Sequence, residues 1–257
     1  MDERKIIENI SKTLTLFGEK ITQIVGETSR VLADNIIPAL SVLYEEIPDL
    51  SEERKQELLA FCENMLHKGW CMFSYLPLVV YKQDLSTVEK ADAYVMPYCK
   101  DNILDIYNRL LENGISEENV ANIQTCIKNG AYKACSALLI SEIEHYIVCE
   151  YKITENNPLL QEKAIEKLKN LYGSVSANKV AIFFYLHNHS LYLSVKEVFK
   201  KIKDIATVDD TNFVVPSRHC LLHGYTRRQY TEKDCLFLLL LLFGLVEQKD
   251  IMAIKNA

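Results

Sequence analysis

A chain of 257 residues, 49% of them hydrophobic and 25% charged, has the composition of an ordinary globular protein and is long enough for one large domain or two small ones. Its net charge of -6 and pI of about 5.6 argue against broad electrostatic capture of nucleic acid, while leaving room for a local basic site. With only 8 glycines and 6 prolines it is short of the residues that chains of short strands and turns depend on, so composition favours helices.

The first ten residues, MDERKIIENI, are charged and amphipathic and hold no signal-peptide core. Across residues 3–48 the apolar positions Ile6, Ile7, Ile10, Leu14, Phe17, Ile21 and Val25 recur mostly three or four apart, which predicts long helices. Ser51, followed by Glu53, Arg54 and an apolar run from Leu58, reads as a capped helix start. Pro77 and YKQDLSTVEKADAY mark a break near residues 76–92. The chain is accordingly divided into an N-terminal helical region, residues 1–90, and a helical domain, residues 91–257.

Three helices follow: DNILDIYNRLLENG, ended by Gly114; SEENVANIQTCIKNG, capped by Ser116 and stopped by Gly130; and the long, mostly buried AYKACSALLISEIEHYIVCEY. KITENNPLL reads as a loop, and LQEKAIEKLKNLYG as a solvated amphipathic helix with paired charges. ANKVAIFFYLHNHSLYLSVKEVFKKI continues the helical pattern, and ATVDDTNFVVPS reads as a polar linker. The last helix runs from about Glu232 to the end of the apolar run Cys235–Val246, which is short of the roughly 20 residues a membrane crossing needs, so it reads as a buried core helix. Every periodic segment is helical, so the class is all-α, and these features together point to a cytoplasmic chain.

The eight cysteines form no C-x2-C pair and sit mostly among apolar residues, as at Cys126, Cys135 and Cys149, so they read as reduced, buried small hydrophobes. His187 and His189 fall about 200° apart on a helix and read as structural histidines. Trp70 suits a core anchor better than a stacking platform. His145 stands next to Glu144 and is a minor candidate for the same site.

The densest chemistry lies in VVPSRHCLLHGYTRRQY, Val214–Tyr230, which holds three arginines and two histidines and no acid. Ser217, after Pro216, suits a helix N-cap, with Arg218 in the first turn and Cys220, Leu221 and Leu222 packing inward. Arg218 and His223 lie about 140° apart by helical period, yet they can converge at a helix start. Arginine offers a permanent cationic fork to phosphate oxygens and to the added charge of a pentavalent transition state. Histidine can take the proton of an RNA 2′-hydroxyl or give one to the leaving oxygen, a scheme that needs no metal or other cofactor. Arg227 and Arg228 would add positive potential for a nucleic-acid backbone. His219 and His223 have metal-ligand spacing, but no third ligand stands nearby in the sequence. The plainer alternative is a surface helix start whose arginine pairs with an acid and whose histidine is structural.

SRHCLLHGY resembles the R-x4-H signature of the HEPN (higher eukaryotes and prokaryotes nucleotide-binding) superfamily. It is closest to a bacterial branch with an N-R-H-x-x-x-H-G pattern before a final apolar helix. IKNGAYKACSALLISEIEHYIV resembles the upstream helix of that branch through Tyr132, Ala134, Ile143 and Glu144. The layout covers roughly residues 95–250, and the motifs about thirty of them. The resemblance implies a helical bundle, often a homodimer, in which two R-x4-H motifs form one metal-independent endoribonuclease site that leaves a 2′,3′-cyclic phosphate. It implies RNA as the substrate and a toxin–antitoxin or anti-phage defence setting, with an antitoxin or defence-system protein as partner. Arg218 and His223 match the catalytic pair. Glu144 matches an upstream acid that would pair with Arg218 or orient His223, with His219 in support. Tyr225 matches a tyrosine that some antitoxins modify with AMP. Ser217 stands where the branch commonly has Asn, and serine can still cap. A catalytically silent module binding a nucleotide or a partner protein is the alternative.

Overall fold

Short, local hydrogen-bond patterns set the helix ends. Thr87 Oγ1 accepts from the Lys90 N–H at 3.3 Å and opens a helix that runs to Asp101. Ser116 Oγ accepts from the Asn119 N–H at 3.1 Å, with Glu117 and Glu118 beside the positive end of the same helix. Gly130 closes that helix: its own N–H donates to Ile127 O, and the Ala131 N–H reaches back to Cys126 O. Gly114 closes the preceding helix with the same pair of bonds, to Leu111 and Leu110.

The structure is a computed structural model that describes residues 52–150 and 179–255, apart from the short stretches 73–75, 77–79, 81–82, 201 and 203–207. Within these residues are α1 (Glu52–His67), α2 (Val88–Asp101), α3 (Ile103–Glu112), α4 (Glu117–Lys128), α5 (Tyr132–Glu150), α6 (Lys179–Val198), a 3-10 turn (Asp210–Asn212), α7 (Arg218–Leu222) and α8 (Glu232–Lys255). Among the described residues there is no strand, and the all-α class expected from the sequence holds. The helices expected over residues 3–48, the Ser51 cap, the loop KITENNPLL and the helix LQEKAIEKLKNLYG lie outside the described residues. The break expected over residues 76–92 ends sooner, because Thr87 caps α2 and its first turn begins at Val88.

α8 is the organising element. It packs against α2, α3, α5 and α6, most extensively against α5, while α6 also packs along α1 and α7 packs on α5. Residues 235–246 are all buried, and burying each large apolar side chain there contributes roughly 1.5–3 kcal/mol. α6 approaches α8 so closely at Gly244 that a Cβ there would lie 2.6 Å from Leu191 Cδ2, so any larger residue would require the Leu191 side chain to shift. The helix also continues well past its apolar run, to Lys255. Among the described residues no helix is long and apolar enough to cross a membrane.

The described helices belong to one compact unit that begins at Asp49. α1 therefore joins the later helices through α6, and the division expected near residue 90 does not separate them. Trp70 sits fully buried in the turn after α1. Its indole N–H donates to Asp92 Oδ1 at 2.8 Å, the same Asp92 pairs with Lys233 at 2.6 Å, and Lys233 Nζ lies 5.4 Å from the indole ring. The core-anchor reading of Trp70 holds, and these contacts tie the starts of α2 and α8 to the turn.

Candidate functional site

Ser217 is buried and extended (φ -95°, ψ 120°), and its Oγ accepts from the Cys220 N–H at 3.4 Å. This is the cap that the sequence suggested, and it starts α7 with Arg218 in the first turn. Only five residues form this helix, so it buries one side: Cys220 and Leu221 face the core, whereas Leu222 is 41% exposed. Leu222 had been expected to pack inward. It lies about 200° round the helix from Cys220, which puts it on the open side. α7 stops at Gly224, whose φ of +76° suits glycine; the Gly224 N–H donates to Leu221 O and the Tyr225 N–H to Cys220 O at 2.9 Å. His223 is thereby held at the helix end (φ -86°, ψ 0°), with its side chain exposed.

Glu144, in the middle of α5, meets Arg218 with both carboxylate oxygens. Arg218 Nε donates to Oε2 at 3.2 Å, and Nη2 donates to Oε1 at 3.0 Å and to Oε2 at 3.2 Å. The pair is side-on, so Nη1 faces away from the carboxylate edge and keeps its donors for another acceptor. Of the two partners the sequence allowed Glu144, it takes Arg218. Among the described residues no hydrogen bond joins Arg218 directly to His223. The His223 ring instead lies against His219, with centroids 4.9 Å apart and the planes tilted by 55°. His219 Nδ1 accepts the backbone N–H of Ile202 at 3.0 Å, which puts the proton of the neutral ring on Nε2. Among the described residues no cluster of three His, Cys, Asp or Glu side chains could hold a metal ion.

The absence of acids within the motif is made good from elsewhere. Arg228, expected to contact RNA, is instead tied into the protein. Its Nη2 pairs with Asp234 Oδ1 at 2.5 Å, Nη1 donates to Phe213 O at 2.8 Å, and its guanidinium lies 5.4 Å from the Tyr230 ring. Only 11% of its side chain is exposed. Arg227 remains exposed, with its backbone N–H on Asp210 Oδ1 at 2.6 Å. Asp210 is fully buried and also accepts from the Arg228 N–H at 3.1 Å and from Thr226 Oγ1 at 2.5 Å. The supposed polar linker thus supplies the carboxylate that fixes residues 226–228, with Val215, Pro216 and Ser217 buried behind it.

Asp210 and Asp234 were missed as members of this constellation. Asp234 left a readable signal: TEKD before an apolar run has capping-box spacing, and Asp234 Oδ2 does accept the Thr231 N–H at 2.8 Å. Nothing in the local sequence marks which backbone Asp210 binds.

The other candidates sort by burial. His187 is a core side chain, and burial pushes its imidazole down to about 4. Desolvation also lowers the half-buried His189, with the charge of Glu63 opposing it. Six of the eight cysteines are buried free thiols, and burial pushes Cys71 up to about 12, which makes it inert at neutral pH. Cys149 departs from the expectation: it is exposed, one turn after the exposed His145, with Sγ 3.6 Å from either ring nitrogen. Its flanking apolar residues turn to the core while the helical period carries Cys149 outward.

No family model matches the chain, and no curated protein and no solved structure shows significant similarity to it.

Proposed function

We propose that the chain is a HEPN-like, metal-independent endoribonuclease that works as a homodimer in a toxin–antitoxin or anti-phage setting. The observation that supports this best is the two-pronged Arg218–Glu144 pair between α7 and α5, with His223 exposed at the far end of the same short helix. In this reading Glu144 orients the guanidinium so that Nη1 meets a phosphate oxygen. His223 takes the proton of the RNA 2′-hydroxyl as the 2′-oxygen attacks phosphorus. The bond to the 5′-oxygen breaks, and a protonated imidazole, in a dimer the second copy's His223, returns a proton to that oxygen. His219, with its proton on Nε2, supports the ring of His223, and Ser217 fixes the start of the helix. Arg227 is the outer contact for the RNA backbone. Tyr225, exposed on the turn, suits the role of a residue that a partner protein modifies.

A second reading is favoured by one observation: Glu144 already occupies two nitrogens of Arg218, as it would in a catalytically silent module that binds a nucleotide or a partner protein. Incubation with labelled single-stranded RNA in EDTA separates the two. The ribonuclease is expected to cleave, to leave 2′,3′-cyclic phosphate ends, and to lose activity in Arg218→Ala and in His223→Ala. A folded dimer that leaves several RNAs intact refutes it.

A further inference from the structure

Tyr225 is 49% exposed, and among the described residues its hydroxyl makes no hydrogen bond. A single exposed apolar side chain is ordinary in itself. What distinguishes Tyr225 is the backbone beneath it. On one side its own N–H is bonded to Cys220 O at 2.9 Å and Gly224 holds φ at +76°. On the other side Asp210, fully buried, binds Thr226, Arg227 and Arg228 together. The ring therefore stands on a turn fixed from both directions, and little backbone order remains to be lost when something covers it. Beside it in sequence stand the exposed basic residues His223 and Arg227; Asp210 and Asp234 are buried and engaged, Glu232 pairs with Lys100, and the exposed Asp209 is bonded to Thr211, with Arg227 close enough to help lower its carboxyl.

We propose that Tyr225 is a nucleobase-stacking platform that makes the site select unpaired RNA. This rests on the ribonuclease reading and names the substrate class of the same site. A fixed, exposed aromatic ring with basic residues near it in the chain is what a single strand uses: the base lies on the ring while the phosphates follow the positive side chains. In a duplex the base faces are covered by neighbouring bases, so the ring has nothing to receive. Every base has such a face, so the selection is for strandedness rather than for sequence. For a chain of net charge -6, stacking also supplies affinity that overall electrostatics does not.

The test uses the full chain and a fluorescein-labelled single-stranded RNA of about 12 nucleotides with 2′-O-methyl sugars, which blocks attack by the 2′-oxygen. Anisotropy is expected to show binding that Tyr225→Ala weakens about tenfold or more and that Tyr225→Phe leaves within about twofold. The same strand annealed to its complement is expected to bind less tightly and to respond to neither substitution. The proposal is overturned if Tyr225→Ala binds as the parent does, if Tyr225→Phe loses as much as Tyr225→Ala, or if the single strand does not bind. It is also overturned if light scattering shows Tyr225→Ala halving the molecular mass, which would assign the ring to contacts between copies. Cleavage of unmodified RNA in EDTA, run in parallel, distinguishes the two failures. Cleavage with Tyr225-independent binding refutes the stacking alone. Tyr225-dependent binding without cleavage refutes the ribonuclease and leaves an RNA-binding module.

Discussion

α8 and the segment leading into it are neighbours in sequence and opposites in the way they are held. Residues 235–246 are buried throughout and are fixed by area, with contacts spread over four other helices. Residues 209–231 bury only scattered side chains, among them Val215, Cys220, Leu221 and Tyr230, and are held besides by directional bonds: Ser217 to Cys220, Asp210 to three donors in residues 226–228, and Arg228 to Asp234. Non-directional burial tolerates small changes in shape and fails when volume is lost. Directional bonds do the reverse, because one lost acceptor leaves several donors without a partner. A protein built this way can vary its site without disturbing its core.

The largest effect expected from this contrast is in the buried half. Phe243→Ala should lower the unfolding free energy by about 3–5 kcal/mol, read as a fall in urea midpoint at unchanged slope. A loss below about 1 kcal/mol would mean that α8 is not the central element. Acid should act next, through His187 in α6. Burial holds its imidazole at about 4, against 6.5 for the free group, so the folded chain keeps it neutral while the unfolded chain takes up a proton. The lowered folded value means that stability is full above about pH 6.5 and is lost as pH falls to about 4, by up to roughly 1.4 kcal/mol per pH unit. His187→Gln should flatten that part of the urea-midpoint curve; parallel curves for parent and variant would contradict it.

Smaller effects belong to the motif side. Asp210→Asn should cost about 1–3 kcal/mol and should speed amide exchange at Arg227 and Arg228 far more than in α8. Uniform acceleration across the chain would show that the loop and the core open together. Glu144→Gln should cost the least, about 0.2–1 kcal/mol, because Arg218 and Glu144 are 26% and 27% exposed and water screens their attraction. The same substitution should cut RNA cleavage at least tenfold, measured as initial rate in EDTA. If stability and cleavage fall together, the pair is structural and the site is not independent of the core.

How much of this could be read from the sequence follows the range of each interaction. Ser116, Gly114, Gly130 and Ser217 were legible as caps and stops because each acts on residues within one turn of itself. The start of α8 at Glu232 and the buried run after it were legible for the same reason. The Arg218–Glu144 pairing stood among the expectations only through the HEPN resemblance, because 74 positions separate the two residues. The outward turn of Leu222 and Cys149, the engagement of Arg228 by Asp234, and the use of Asp210 as an acceptor were not legible.

The sequence by itself determined the helical class, the caps and stops at Ser116, Gly114, Gly130 and Ser217, and the apolar run that becomes the central helix, since periodicity and capping are properties of a few consecutive residues. The tertiary structure alone decided which acid Arg218 and Arg228 meet, that α1 packs along α6, and which side chains of the motif face solvent. Those outcomes depend on how α5, α7 and α8 pack together, and that packing is a property of the folded chain as a whole.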